Sequence, residues 1–318
     1  MINIKKKFGG GVMEITRAFL KQVLLYFLII CALVLIVLFP RNLSVGTVGG
    51  TAEIMLEYQF SWAEYKNNLT HYFETLWNDK SLGDTRHERV TVEDELQRYV
   101  PASLKIIFPA FFLSVFLGIF KGIFDYRRKG TKLSVFGNGL TWMLQSIPDF
   151  FIAVCMIWAV TMFVPDLKLL SQNTSYSFLL PTILVSIYPM MYIARITSTS
   201  LLNEDGQYYI QVARSKGFTQ KKVVYRHILP NALKPVLAHM TSIMVHLMTS
   251  LLIVEYLLGY EGMSYRLFTA LGYSNTSEGL SIGVFEHGVI IGIALIIMLL
   301  VMLAQLTGFI IKRSMRIV

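Results

Sequence analysis

Charged residues are scarce. Asp, Glu, Lys and Arg make up 15% of the 318 residues, where a soluble domain carries about 25%, and the shortfall falls in long uncharged runs. Together with 54% hydrophobic residues and a mean hydropathy of +0.54, this excludes an ordinary soluble globular domain and points to an all-α, polytopic membrane protein. Cysteine is nearly missing. Cys31 and Cys155 are the only two and both lie in apolar runs, which excludes a disulfide framework and a cysteine-based metal site. No Gly-x-x-x-x-Gly-Lys-Ser/Thr occurs, so the chain has no P-loop, and ATP hydrolysis would have to come from another subunit. No Gly-x-Ser-x-Gly, His-Glu-x-x-His or carboxylate dyad appears in a plausible setting; no catalytic residue and no metal site is assigned. His239 and His246 could share a helix face, but two histidines between spans more commonly pack and hydrogen-bond than hold a metal. The formal charge of +9 is not interleaved with aromatics in the manner of an RNA-binding surface. Loop lysines and arginines that orient a membrane protein account for it better, and no nucleic-acid partner is expected.

A helix needs about 20 mostly apolar residues to cross a bilayer. Six segments meet or approach this: Phe19–Phe39, Ala102–Phe124, Leu140–Val164, Phe178–Leu201, Val236–Leu258 and Phe285–Ile311. Lysines precede the first run as they would in a signal peptide, but no small-residue cleavage site follows, so an uncleaved span is expected. Lys105 and Lys121 lie near the ends of the second span, where long side chains can snorkel. Basic residues gather in the N-terminal segment (Lys5, Lys6, Lys7, Arg17, Lys21), after the second span (Arg127, Arg128, Lys129, Lys132), after the fourth (Arg214, Lys216, Lys221, Lys222, Arg226, Lys234) and at the end (Lys312, Arg313, Arg316). The opposite loops are acidic or nearly neutral. Both termini are therefore expected on the cytoplasmic side. The organisation that follows is a cytoplasmic segment 1–18, a first span 19–39, an external loop subdomain 40–100, a core 101–311 with a cytoplasmic insertion at 203–234, and a tail 312–318. The external loop is too long for a simple connector, and Glu93–Arg98 reads as a short amphipathic helix leading to Pro101.

The insertion carries the most information. It is polar and basic, lies between two apolar spans and is not needed to cross a membrane. Asn203 or Asp205 could cap a first short helix over Tyr208–Ser215. Gly217 stands where a left-handed residue ends that helix, Thr219 could cap a second helix, and Pro230 and Pro235 punctuate the approach to the fifth span. An amphipathic helix lying on anionic lipid is one reading of this segment. Two helices around a fixed glycine, with tyrosines and small aliphatics on their apolar side, fit a protein groove better.

The stretch Tyr209-Ile-Gln-Val-Ala-Arg-Ser-Lys-Gly-Phe218 resembles the cytoplasmic loop of permease subunits of the dipeptide, oligopeptide and nickel ABC importer family, which reads roughly Tyr-Ile-Arg-Thr-Ala-Arg-Ala-Lys-Gly-Leu. Tyr209, Ile210, Ala213, Arg214, Lys216 and Gly217 match; Gln211, Val212, Ser215 and Phe218 differ. Leu229-Pro230 closes the loop, with Pro230 thirteen residues after Gly217, as in the wider ABC-importer motif. Ser146-Ile-Pro-Asp-Phe150 resembles the family's Ser-Leu-Pro-Ser-Phe, Ser81-Leu-Gly-Asp84 is a loose form of its external Gly-Asp-Leu-Gly, and Glu255-Tyr-Leu-Leu-Gly-Tyr-Glu-Gly-Met263 resembles its Glu-x-x-Phe-x-x-Pro-Gly-Leu, with Glu261 in place of the proline.

The resemblance implies six transmembrane helices in the type I ABC importer permease architecture, in a bacterial inner or plasma membrane. It implies a coupling helix seated on an ATP-binding subunit, with Tyr208, Tyr209, Ala213, Arg214, Lys216, Gly217, Leu229 and Pro230 as coupling residues. The implied partners are a second homologous permease, two ATP-binding subunits that hold ATP and Mg, an external substrate-binding protein and membrane lipid; this chain itself binds no cofactor. The implied cargo is peptide, with nickel or another metal complex as the alternative. Charges in spans usually face a bundle interior or a water-filled cavity, so Gln145, Asp149 and Glu255 are the translocation-path candidates, Glu255 foremost. Arg195 is expected to snorkel. A membrane-embedded enzyme would need convergent catalytic side chains that the sequence does not offer. An ion-driven secondary transporter would show repeated halves and would leave the insertion without a purpose.

Overall fold

The computed structural model describes residues 2–41, 43–47, 54–58, 60–87, 89–163, 176–276, 279–282 and 285–314. The helices are α1 (Ile2–Val37), α2 (Trp62–Glu74), α3 (Val92–Arg128), α4 (Leu140–Ser146), α5 (Asp149–Phe163), α6 (Leu179–Asp205), α7 (Tyr208–Ser215), α8 (Gln220–Val223), α9 (Leu229–Ala238), α10 (Met240–Leu258), α11 (Met263–Ala270) and α12 (His287–Ser314). Two small antiparallel hairpins accompany them: β1 (Leu43–Thr47) with β2 (Ile54–Tyr58), in the register Leu43 to Tyr58, and β3 (Tyr273–Thr276) with β4 (Gly279–Ile282). Among the described residues, five helices are long and apolar enough to cross a membrane, namely Leu20–Val37 within α1, α3, α6, α10 and His287–Ile311 within α12. The chain divides into two units, residues 1–96 with 270–298, and residues 97–269 with 299–318.

The expected third span is not one straight helix. Lys132–Ser146 and Asp149–Phe163 meet at 104°, and the end expected at Val164 lies outside the described residues. Ile147 is extended, with φ −90° and ψ 133°. It precedes Pro148, whose ring disfavours the helical conformation in the residue before it. Pro101 and Pro109, by contrast, sit inside α3, so the short helix expected over Glu93–Arg98 is the first part of a continuous helix that begins at Val92. A proline within a long apolar helix frees one carbonyl and need not end it. The fifth span starts at Met240, because His239, with φ −96° and ψ 10°, separates α9 from α10.

In the second unit α6 is the central element, packing against α4, α5, α9 and α10. Its crossing with α3 is very close. A Cβ on Gly118 would lie 2.7 Å from Cβ of Ile193, and one on Gly122 would lie 2.5 Å from Cβ of Thr197. This is the small-xxx-small geometry that lets membrane helices approach. Lys121, on the same helix, does not snorkel. Its Nζ pairs with Asp125 and donates to the Gly137 carbonyl and Thr141 Oγ1, each at 3.0 Å, while Thr141 Oγ1 donates to Asp125 Oδ2 at 2.7 Å. Charge neutralisation inside this knot removes the reason to reach for water. The methionines Met240, Met244 and Met248 are buried in packing.

In the first unit, Glu93 accepts from Ser81 Oγ at 3.0 Å and from the Leu82 amide at 2.7 Å, and Gly83 has φ +114°. A Cβ on Gly288 would meet the Leu82 carbonyl at 2.4 Å. The Ser81–Asp84 stretch is thus a tight turn seated on the first turns of α3 and α12.

Candidate functional site

The insertion between α6 and α10 is built on a small apolar core. Ile210 of α7 is buried with Val223, Val224, Ile228 and Ala232, and these pack on Ile123 and Tyr126 of α3 and Leu201 of α6; Ala213, three residues further along α7, is also buried. The opposite face of α7 is open: Tyr208 is 84% exposed and Val212 53%, with Gln211, Ser215 and Lys216 also exposed. Gly217 follows with φ +77°, the left-handed geometry expected of a residue ending that helix. Thr219 occupies the N-cap position of α8 in an extended conformation, without a side-chain cap bond.

Neither Asn203 nor Asp205 caps α7, because α6 runs on to Asp205 and Gln207 takes the N-cap position. Asp205 instead pairs with Arg214, so this guanidinium is engaged in holding α7 to the end of α6. Tyr209 Oη donates to Glu204 and accepts from Asn231 Nδ2 at 3.0 Å; burial and the Glu204 bond raise its phenol above the usual value. Phe218 stacks on His227, ring centroids 5.6 Å apart, with Lys222 Nζ 4.4 Å above it. Leu229 is half-buried and Pro230 exposed in the first turn of α9, where a missing N–H is harmless. Of the expected coupling residues, Tyr208 and Lys216 lie on the open face, Ala213 lies in the core beneath it, and Tyr209 and Arg214 tie the insertion down.

A second polar site surrounds the break in the third span. Gln145, Ser146, Pro148, Asp149, Tyr188 and His246 are among the residues lining a cavity of about 320 Å³. Asp149 Oδ2 accepts from Ser250 Oγ at 2.8 Å, and its Oδ1 faces the Phe150 amide at 2.9 Å. Gln145 Nε2 is buried without a hydrogen-bond partner among the described residues. The rings of Tyr188 and Tyr192 lie 5.1 and 5.0 Å from that of His246, and Tyr192 Oη is 3.1 Å from His239 Nδ1. Tyr192 thus links His246 of α10 to His239, which precedes that helix. Arg195 lies over the Trp142 ring at 5.4 Å.

Glu255 is elsewhere and does something else. It is fully buried, and its carboxyl oxygens accept from Ser103 Oγ at 2.6 Å and from the Ser264 amide at 2.8 Å. Ser103 Oγ also accepts from the Met263 amide at 2.7 Å. An acceptor is wanted at the start of α11, where amides lack helical partners. The side chain expected foremost on the translocation path is therefore a clasp joining α3, α10 and α11. Gly262 belongs to it: a Cβ there would lie 2.3 Å from Glu255 Oε1. Gly259, at φ +63°, ends α10 just before. Ser103 and Ser264 carried no sequence signal. Gly262 did, in its spacing from Glu255.

These features define the class: a multi-pass helical membrane protein with a folded helical insertion and a polar break in one span. The signature of binding-protein-dependent transport system inner membrane components matches residues 114–317, and the chain belongs to that family. Among curated relatives it is similar to the dipeptide transport system permease protein DppB of Bacillus subtilis (29% identical over 176 residues, 54% of this chain and 56% of that one) and to the oligopeptide transport system permease protein OppB of Escherichia coli (27% over 245 residues, 75% and 80%). It thus spans only about half of the first relative. Among solved structures it resembles an inward-facing MetNI methionine ABC transporter chain (TM-score 0.50, 23% identity, 69% of this chain and 95% of that one) and an amino acid ABC transporter chain (TM-score 0.51, 16%, 70% and 94%). These two likenesses concern the fold.

Proposed function

We propose that this chain is a permease subunit of an ATP-driven importer in a bacterial plasma membrane, with both termini cytoplasmic. With a second, related permease it forms the path for peptides handed over by an external binding protein. Two ATP-binding subunits hold ATP and Mg and do the hydrolysis; this chain holds neither. The observation that carries the reading is the division of labour on α7: Ile210 and Ala213 are sunk in the chain's own core, while Tyr208, Val212 and Lys216 stand open. A helix packed this way transmits a push to the ends of α3 and α6 rather than absorbing it. Tyr209 and Arg214, through Glu204 and Asp205, stiffen the joint, and Leu229-Pro230 starts α9, the last helix of the insertion. Peptide is favoured over nickel as cargo because relatives at 27–29% identity are named for peptide transport. Gln145 and Asp149, at the cavity beside the broken span, are the side chains proposed to meet cargo in passage.

The test uses the assembled importer. Val212→Glu with Lys216→Glu should leave the two permeases together and reduce recovery of the ATP-binding subunits and of peptide uptake by at least several-fold. Undiminished recovery with undiminished uptake would reject α7 as the docking element.

A further inference from the structure

The helix α2 has two faces that answer to different surroundings. On one face Tyr65 Oη donates to the Leu35 carbonyl at 3.0 Å, Asn68 Nδ2 donates to the Leu38 carbonyl at 3.3 Å, and Tyr72 is buried. Leu35 belongs to the last turn of α1 and Leu38 follows it, where carbonyls have lost their helical amides. These bonds fix α2 beside the point where the first span ends. On the other face, Trp62 is 74% exposed and Phe73 54%, and Trp77, 86% exposed, follows in the wider helical turn Thr75–Asp79. Trp62 and Phe73 are three helical turns apart and share a stripe with Leu69. Exposed Lys66 lies on the same stripe.

That stripe continues the apolar surface of the first span. The span within α1 is only 11% buried, and Leu28, Leu35 and Ile36 point outward. Beyond it, Phe39 and Phe60 stack with centroids 5.2 Å apart, and Trp62 lies edge-on to Phe60 at 5.0 Å. Indole and phenol side chains concentrate at the membrane–water boundary because they join an apolar body to a polar tip. A basic side chain among them suits phosphate headgroups. Large aromatics this open, contiguous with a span, are not an ordinary water-facing surface.

We propose that α2 lies in the plane of the membrane surface, with Trp62, Phe73 and Trp77 set among phospholipid headgroups and upper acyl chains, where it fixes the depth of the first span. The experiment places a nitroxide at Trp62→Cys, Phe73→Cys and Trp77→Cys, one at a time, in a chain carrying Cys31→Ser and Cys155→Ser and assembled with its partner subunits in phosphatidylethanolamine and phosphatidylglycerol nanodiscs. Asn67→Cys, exposed on the remaining side of α2, is the water-facing control. Complexes that retain their subunits are compared for collision with oxygen and with a water-soluble nickel chelate. The expected result is several-fold lower nickel collision than at position 67, with oxygen collision retained. Nickel collision equal to the control would overturn the proposal. So would exclusion of both reagents, the mark of a protein neighbour, whether present from the start or only after addition of an external binding protein.

Discussion

An alanine at Gly262 would set its Cβ 2.3 Å from Oε1 of Glu255 and 2.4 Å from Cδ and Oε2. No rotamer adjustment of a few tenths of an ångström relieves that, so the carboxyl group must leave its site. Leaving breaks the bonds from Ser103 Oγ at 2.6 Å and the Ser264 amide at 2.8 Å. Both donors are in buried residues, and stranding a buried polar group costs roughly 1–3 kcal/mol. Two of them give about 4 kcal/mol for Gly262→Ala, or nearly a thousandfold in the folded-to-unfolded ratio. The assay is thermal unfolding of the reconstituted complex, run as a double-mutant cycle. Glu255→Ala removes the obstruction while stranding the same donors, so adding Gly262→Ala to it should cost less than about 1 kcal/mol, a coupling of about 3 kcal/mol. Glu255→Asp, one methylene shorter, should restore part of the stability lost in Gly262→Ala. Additive costs within about 0.5 kcal/mol, or a neutral Gly262→Ala, would refute the clasp.

Gly122→Ala should part α3 from α6, since its Cβ would come within 2.7 Å of the Ala194 carbonyl; a cost of about 1–3 kcal/mol is expected from forced repacking and is read as a lower unfolding midpoint. Gly217→Ala meets no atom within 4 Å but keeps φ +77°, so its cost is backbone strain alone, about 1–2 kcal/mol, confined to the turn; uptake should fall more than permease assembly does. Asp149→Asn preserves the shape of the cavity and the acceptance from Ser250 while removing a charge, and should lower peptide uptake with ATP-subunit recovery unchanged, measured in the same proteoliposomes.

How much of this could be read from residues alone depends on the range of the physics. The long apolar runs and the left-handed Gly217 are local facts, and they were legible because periodicity, composition and φ preference act over a few neighbours. The broken third span was also local, since Ile147-Pro148 states its extended residue outright, but an apolar run of full length masked it. The opposite happened at Pro101, where a proline suggested an end and α3 continued. A lone proline in an apolar helix is ambiguous until the neighbours that tolerate it are known.

Glu255 shows where local reading stops. A carboxyl group in a span suggests a cavity or path, because water is the usual remedy for burial. A helix start supplies the same remedy without water: Ser264 offers its amide at the head of α11, and Ser103, 152 residues away in sequence, supplies the hydroxyl. No spacing rule joins Ser103 to Glu255. Only the Glu255–Gly262 interval hinted that something needs room beside that glycine. The same logic separates the two polar sites among the apolar helices. At Glu255 the chain's own donors close around the acid and fill the space. At Asp149 one hydroxyl and the next amide are engaged, a cavity of about 320 Å³ remains, and Gln145 is left with an unpartnered amide among the described residues. A buried acid whose surroundings are complete holds helices together, whereas one beside an open polar cavity has capacity left for something that passes through.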